Sequence, residues 1–207
     1  MPAHAGTHLG RGLGWRTPQT ADPLRWRILG LYEPDVAARV DIILAACPGD
    51  TSVGYCWTYP YVDIALHADP DQHTALTAEI TQALDGHIVS TGHTGALQQL
   101  KALVPRPQLV LHDGLSLRQF AQALALPAPS GPRQDQDLTI RAAGQWRGGS
   151  PHEHSGLVTM RCGIITAQDT SHSYEMEQPN RGSEILDCAA EFIAWSTLRA
   201  FAASARG

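Results

Sequence analysis

The chain has 207 residues, enough for one large domain or two small ones, and 43% of them are hydrophobic, which supports real cores and excludes disorder over most of the length. A net charge of -5, from 20 acids against 15 bases, argues against broad binding to nucleic acid or to an anionic membrane. No apolar run approaches the ~20 residues of a membrane helix. The four cysteines, Cys47, Cys56, Cys162 and Cys188, are too widely spaced for a zinc site or a disulfide frame and read as small buried hydrophobes in a reducing cytoplasm.

Residues 1–24 are glycine-rich, show little apolar periodicity and lack the basic-then-apolar layout of a signal peptide, so a loosely ordered leader is expected. From Leu24 to Leu31 the residues alternate like a strand. Glu33-Pro34-Asp35 opens a helix, with Val36, Val40, Ile43 and Leu44 at helical spacing, and Pro48-Gly49-Asp50 breaks it. Two strands follow, Thr51 to Trp57 and Tyr61 to His67. Asp69-Pro70-Asp71 opens a second helix, striped by Leu76, Ile80 and Leu84 and ended by Gly86. This order describes a small α+β module over residues 25–86.

The stretch Ser90-Thr91-Gly92-His93-Thr94-Gly95-Ala96 is the centre of the chain. The apolar run His87-Ile88-Val89 enters it, and the helical run Leu97 to Val104 leaves it. A strand, a small polar turn and a helix N-terminus make a potential anion site, because unpaired backbone N–H groups and the helix dipole point at the turn. Pro105-Arg106-Pro107 ends the helix. Beyond it come a buried strand, Gln108 to His112, and an amphipathic helix, Ser116 to Leu126. Pro127 to Asp137 reads as a loop, Leu138 to Ala142 as a strand and Gly144 to Ser150 as a glycine-rich loop. Strands are expected over Gly156 to Ile165 and Ser171 to Gln178, and a long closing helix over Ser183 to Ala203.

In order and spacing these residues resemble the CinA family, the competence/damage-inducible proteins, whose C-terminal domain is a nicotinamide-nucleotide amidase. The family's active turn reads Ala-Glu-Ser-x-Thr-Gly-Gly, and Ser90 to Ala96 occupies that place, with Val104-Pro105 following as the family's Val-Pro-Gly does. Leu124-Ala125-Leu126-Pro127 resembles the Leu-Gly-Val-Pro that ends the next helix. Gly148-Gly149-Ser150 and Gly156-Leu157-Val158 resemble the family's Gly-Gly-Ser segment and the strand after it, and Asn180-Arg181 resembles its Gly-Asp-Arg. Upstream, Arg27 to Gly86 is similar to the family's KH-like domain. The resemblance implies an α/β (α+β) fold: a KH-like module at 25–86, then a shortened amidase-like domain at 87–207.

The departures bear on chemistry. The family's nucleophilic serine falls at Gly92, its glutamate at Thr91 and its second turn glycine at Ala96. The tyrosine and lysine of its second motif fall near Leu115 and Phe120, and the lysine of its glycine-rich segment falls at Glu153. Gly92 offers no nucleophile, and Lys101 is the chain's only lysine. Ser90 and Thr94 are the remaining catalytic candidates, with His93 as a conceivable base. Ser90, Thr94, Gly95, Gly148, Gly149 and Ser150 are the candidate ligand-binding residues. The resemblance therefore implies a cytoplasmic pseudoenzyme, an oligomer that retains binding of a nicotinamide mononucleotide-like ligand or of a partner. The alternative is an active deamidase with a relocated Ser or Thr. No cofactor is implied.

Three other features carry bland readings. His152-Glu153-His154 lacks a third metal ligand and reads as a solvated loop. Adjacent His112 and Asp113 do not face each other as a base and its orienting acid would. Trp57-Thr58-Tyr59-Pro60-Tyr61 reads as hairpin and core packing rather than a base-stacking platform, since no Gly-x-x-Gly loop accompanies it.

Overall fold

The computed structural model describes residues 22–47, 50–103, 109–116, 118–126, 138–148, 155–166 and 169–204. The expected loop at 127–137, Gly149, Ser150, the His152 to His154 triplet and residues 1–21 of the leader lie outside them. The fold is α/β, with two four-stranded sheets and five α-helices among the described residues.

The first half runs β1 (Leu24–Leu29), α1 (Glu33–Ala46), β2 (Ser52–Thr58), β3 (Tyr61–His67), α2 (His73–Ala83) and β4 (Ile88–Ser90). A single 3-10 turn, Pro70–Gln72, leads into α2. The first turn of α1 holds Glu33, Pro34 and Asp35, where acids meet the positive helix end and proline costs no hydrogen bond. The strands lie in the order β2-β3-β1-β4, every neighbouring pair antiparallel, which is the split βαβ arrangement. The expected strand–helix–strand–strand–helix order is present. However, β4 comes from the central stretch and pairs with β1, so the first sheet extends past residue 86.

Strand alternation sorts this sheet into two faces. Trp26 and Ile28 of β1 and Val62, Ile64 and Leu66 of β3 pack with Val36, Val40, Leu76, Ile80 and Leu84. Each fully buried apolar side chain of this size contributes roughly 1.5–3 kcal/mol relative to exposure. The opposite face carries Arg25, Arg27 and Leu29 beside Ala65, Asp63 and Tyr61, their register partners.

The second half runs α3 (Ala96–Ala102), β5 (Leu109–Gly114), α4 (Gln119–Ala123), β6 (Leu138–Arg147), β7 (Leu157–Ile165), β8 (Ser171–Pro179) and α5 (Glu184–Ser204). β5 and β6 are parallel, joined across α4, while β6, β7 and β8 form an antiparallel meander. α5 lies against β7, β8, α3 and α4. Its Ile185, Cys188, Phe192 and Ile193 fill the core with Ile140, Met160, Cys162 and Ile164.

Two expectations are corrected here. Gly144 to Arg147 is strand rather than loop: β6 continues through it because Gly144 has no Cβ, and one placed there would meet the Leu115 Cδ1 at 2.7 Å. The cysteines also divide. Cys162 and Cys188 are buried, but Cys47 is only half-buried and Cys56 is exposed on an edge strand, where no layer covers it.

Leu29 and Tyr61, from the first sheet, belong to the second core together with Ala96 and Leu100 of α3. Thus β4 belongs to one sheet and α3 to the other core. The seven residues around Gly92 span that junction.

Candidate functional site

The turn from Ser90 to Ala96 rests on the polar face of the first sheet. Ser90 closes β4, and its hydroxyl oxygen lies 3.1 Å from the Gly92 carbonyl oxygen and 3.0 Å from that of Thr94. One proton serves both carbonyls, so the hydroxyl clasps the turn shut. The Gln99 amide donates to the carbonyls of Val89, at 2.8 Å, and Thr94, at 3.4 Å. Of the catalytic candidates, Ser90 is therefore oriented toward backbone oxygens rather than toward a base. The Thr94 side chain is exposed.

Beside the turn lies an ion pair that the sequence reading did not single out. Arg27 and Asp63 are register partners on β1 and β3. The Arg27 Nε and Nη2 donate to the Asp63 Oδ1 and Oδ2, each at 2.8 Å, in a bidentate fork. The side chains are 14% and 11% exposed. The guanidinium also donates to the His93 carbonyl and sits 4.8 Å from the Tyr61 ring centroid. The hydrogen bond to Asp63 raises the Arg27 pKa, so its charge is permanent.

His93 extends this cluster. The Arg25 Nη1 approaches the His93 Nε2 at 3.0 Å, and since guanidinium only donates, Nε2 accepts and the proton resides on Nδ1. Nδ1 faces the Asp63 Oδ2 at 3.7 Å. The ring nitrogens are thus directed at Arg25 and Asp63, and the Ser90 hydroxyl engages neither.

The helix N-terminus beyond the turn is capped by side chains from elsewhere. The Leu97 N–H donates to the Glu191 Oε2 at 2.8 Å, and the Ala96 N–H donates to the Tyr61 hydroxyl oxygen at 3.0 Å. That hydroxyl in turn donates to the Glu191 Oε2 at 2.5 Å. Of the amides expected to hold a phosphate, that of Leu97 therefore holds a carboxylate of the chain's own α5 and that of Ala96 the tyrosine hydroxyl bound to it. A second anion placed there would meet like charge at contact distance. Burial is the main cause pushing the Tyr61 hydroxyl well above its usual range, with the Glu191 charge next. A Cβ on Gly95 would lie 3.2 Å from both the Tyr61 hydroxyl oxygen and the Glu191 Oε1, so glycine leaves room for this cap.

The other predicted residues are not gathered at the turn. Gly148 follows β6 with φ of +83°, and its carbonyl accepts from the Ser155 hydroxyl at 3.2 Å. Gly149 and Ser150 lie outside the described residues. Leu115 and Phe120, where the resemblance maps a tyrosine and a lysine, are buried in the core. His112 is exposed on β5, whereas the Asp113 Oδ1 accepts the N–H groups of Leu115 and Ser116, at 2.9 and 2.7 Å, ahead of α4. Gly92 has open space where a side chain would start.

Sequence reasoning missed Arg25, Arg27, Tyr61, Asp63 and Glu191. A signal was present for some of them. Arg25 and Arg27 alternate with apolar residues on β1, Asp63 interrupts the apolar run of β3, and Glu191 stands alone among apolar neighbours in α5. The described residues contain no group of three His, Cys, Asp or Glu side chains placed to hold a metal ion. No described helix is long and apolar enough to cross a membrane. No protein-family model and no curated protein matches this chain.

Proposed function

We propose that this chain is a catalytically silent relative of the CinA amidases that acts by binding a partner or assembling a scaffold rather than by hydrolysing an amide. The order of its turn, helix and glycine segments supports the kinship. The observation that carries the functional reading is the Glu191 carboxylate on the Leu97 N–H, with the Tyr61 hydroxyl on the Ala96 N–H. These groups take the donors that a nucleotide phosphate would use. Ser90 adds to this: its proton serves two carbonyl oxygens, and nucleophilic attack requires a base in reach.

The test is ammonia release from nicotinamide mononucleotide by the purified chain, with calorimetric titration of the same compound. No release is expected, and no heat of binding. Ammonia release that disappears in Ser90→Ala or Thr94→Ala would refute the reading and establish a relocated nucleophile. Binding without release would retain the silent domain but return the nucleotide to it as a ligand.

A further inference from the structure

Four strand edges close the two sheets: β2 and β4 in the first, β5 and β8 in the second. Proteins blunt such edges, because a row of unpaired backbone N–H and C=O groups templates pairing with another chain. Three of these edges are blunted. β4 has only three residues and meets β1 across a register shift. β5 carries His112 and Asp113. β8 carries Glu175 and Glu177 and ends in Pro179.

β2 has none of these devices. Ser52-Val53-Gly54-Tyr55-Cys56-Trp57-Thr58 contains no charge and no proline, and its register with β3 runs unbroken over all seven residues. Among the described residues no backbone hydrogen bond reaches its outer edge. Trp57 on the strand is 42% exposed, with the Arg181 guanidinium 4.2 Å from its ring centroid, and Ile42 of α1 is 74% exposed. Ile42 stands next to Asp41 on α1, whose Oδ1 accepts from the Tyr55 hydroxyl at 2.9 Å and so holds that helix alongside the strand.

We infer that β2 is a self-association edge, on which a second copy of this chain pairs its own β2 antiparallel to form one continuous eight-stranded sheet. A two-fold axis at the centre of the edge makes the two strands antiparallel and presents the same surface to each copy. The strand is suited to this because its own side chains are neutral, whereas the acidic β8 would meet itself with like charges; the charges beside β2 are of both signs, Asp41 at the Tyr55 hydroxyl and Arg181 over the Trp57 ring. Centring the axis on Tyr55 overlaps all seven residues and sets Gly54 of each copy opposite Cys56 of the other. It also brings the exposed Ile42 of the two α1 helices to the same side of the new sheet. The inference rests on the scaffold reading above and names its partner.

Sedimentation velocity on the full chain across a concentration series is the test, with bismaleimide capture of Cys56 as a second readout. A dimer is expected. Cys56 of the two copies would be diagonal neighbours about 7–8 Å apart, within reach of a short cross-linker. Gly54→Lys is expected to weaken association at least tenfold, about 1.4 kcal/mol. It should do so without unfolding, since a Cβ at that position meets nothing within 4 Å. Cys56→Lys is an independent variant in case either fold is disturbed, and Glu175→Ser on β8 is the control that should leave the dimer intact. A monomer at every concentration overturns the inference, as does a dimer indifferent to both lysines and not captured through Cys56. Amide protection of residues 52–58 that does not change with concentration also overturns it, because the edge is then covered from within the chain. Ammonia release would defeat the scaffold reading without touching this edge, and a monomer would defeat the edge without restoring catalysis.

Discussion

Glu191→Ala is the most informative single substitution. The Glu191 Oε2 accepts the Leu97 N–H at 2.8 Å and the Tyr61 hydroxyl at 2.5 Å. Hydrogen bonds to a charged acceptor contribute roughly 1.5–3 kcal/mol each, and a carboxylate at a helix N-terminus adds about 0.3–1 kcal/mol. Leu97 is only half-buried, so water replaces part of its loss, whereas Tyr61 is 4% exposed and its hydroxyl loses its acceptor outright. A destabilisation of about 2–4 kcal/mol is expected. Tyr61→Phe removes the acceptor of the Ala96 N–H and should cost about 1–2 kcal/mol. Because the two side chains share one proton, the double variant should lose less than the sum, with a coupling of about 1 kcal/mol or more. Urea denaturation measures all four corners of this cycle, with an unchanged m-value as the check on two-state behaviour. A Glu191→Ala loss below about 0.5 kcal/mol, or strict additivity with Tyr61→Phe, would refute the assigned cap.

Other perturbations separate the remaining elements. Arg27→Ala leaves Asp63 without its fork and should cost roughly 3–5 kcal/mol, whereas a well-packed apolar pair replacing both residues should recover much of that, as measured by the same denaturation. Gly156→Ala should be far more damaging than Gly148→Ala. Both glycines have φ above +80°, but the new Cβ at 156 would lie 2.1 Å from the Arg147 carbonyl oxygen, against 3.7 Å to the Gly156 Cα for one at 148. The thermal midpoints of the two variants should differ accordingly, Gly148→Ala showing only the backbone term of about 1–2 kcal/mol. Alkali should also unfold the protein. Burial raises Tyr55, Tyr59 and Tyr61 above the usual value of 10.0, so the folded chain keeps protons that the unfolded chain releases. The associated stability is full below pH 10 and is lost as pH rises above it; Tyr61→Phe should flatten that decline in denaturation curves recorded at successive pH values.

Local signals made the element order legible. Glu33-Pro34-Asp35 sits in the first turn of α1, and Val62, Ile64 and Leu66 recur at every second position of β3 on its core face. Those signals act within a few residues. Sheet membership does not: β4 looks like the entrance to the second module by position, yet its partner is Arg27 to Ile28 on β1, some 60 residues earlier. Gly144 misled for a similar reason. Glycine is a turn signal along the chain, but here it admits Leu115 across the sheet. The site was half legible. The turn was visible as a strand–turn–helix passage, whereas its cap comes from Tyr61 and Glu191, 35 and 94 residues from the amides they meet. Nothing local marks a carboxylate on one helix as the cap of another.

That long-range cap sets the architecture of this turn against the ligand chemistry the resemblance implies for it. A helix of seven residues offers few free N–H groups, and those of Ala96 and Leu97 open the turn. In an amidase such donors must stay available for a substrate anion or a developing oxyanion. Here Tyr61 reaches them from β3 of the first sheet and Glu191 from α5 of the second core. The same two bonds therefore tie the sheets together through α3. Freeing the Ala96 and Leu97 donors for a ligand would cut that tie and leave a buried hydroxyl without its acceptor, while keeping the tie keeps those two donors occupied. The bidentate fork of Arg27 on Asp63 reinforces this by holding the His93 carbonyl against the first sheet. A turn clamped from three sides fits the scaffold role proposed above, in which this segment joins the two sheets and binds no ligand of its own.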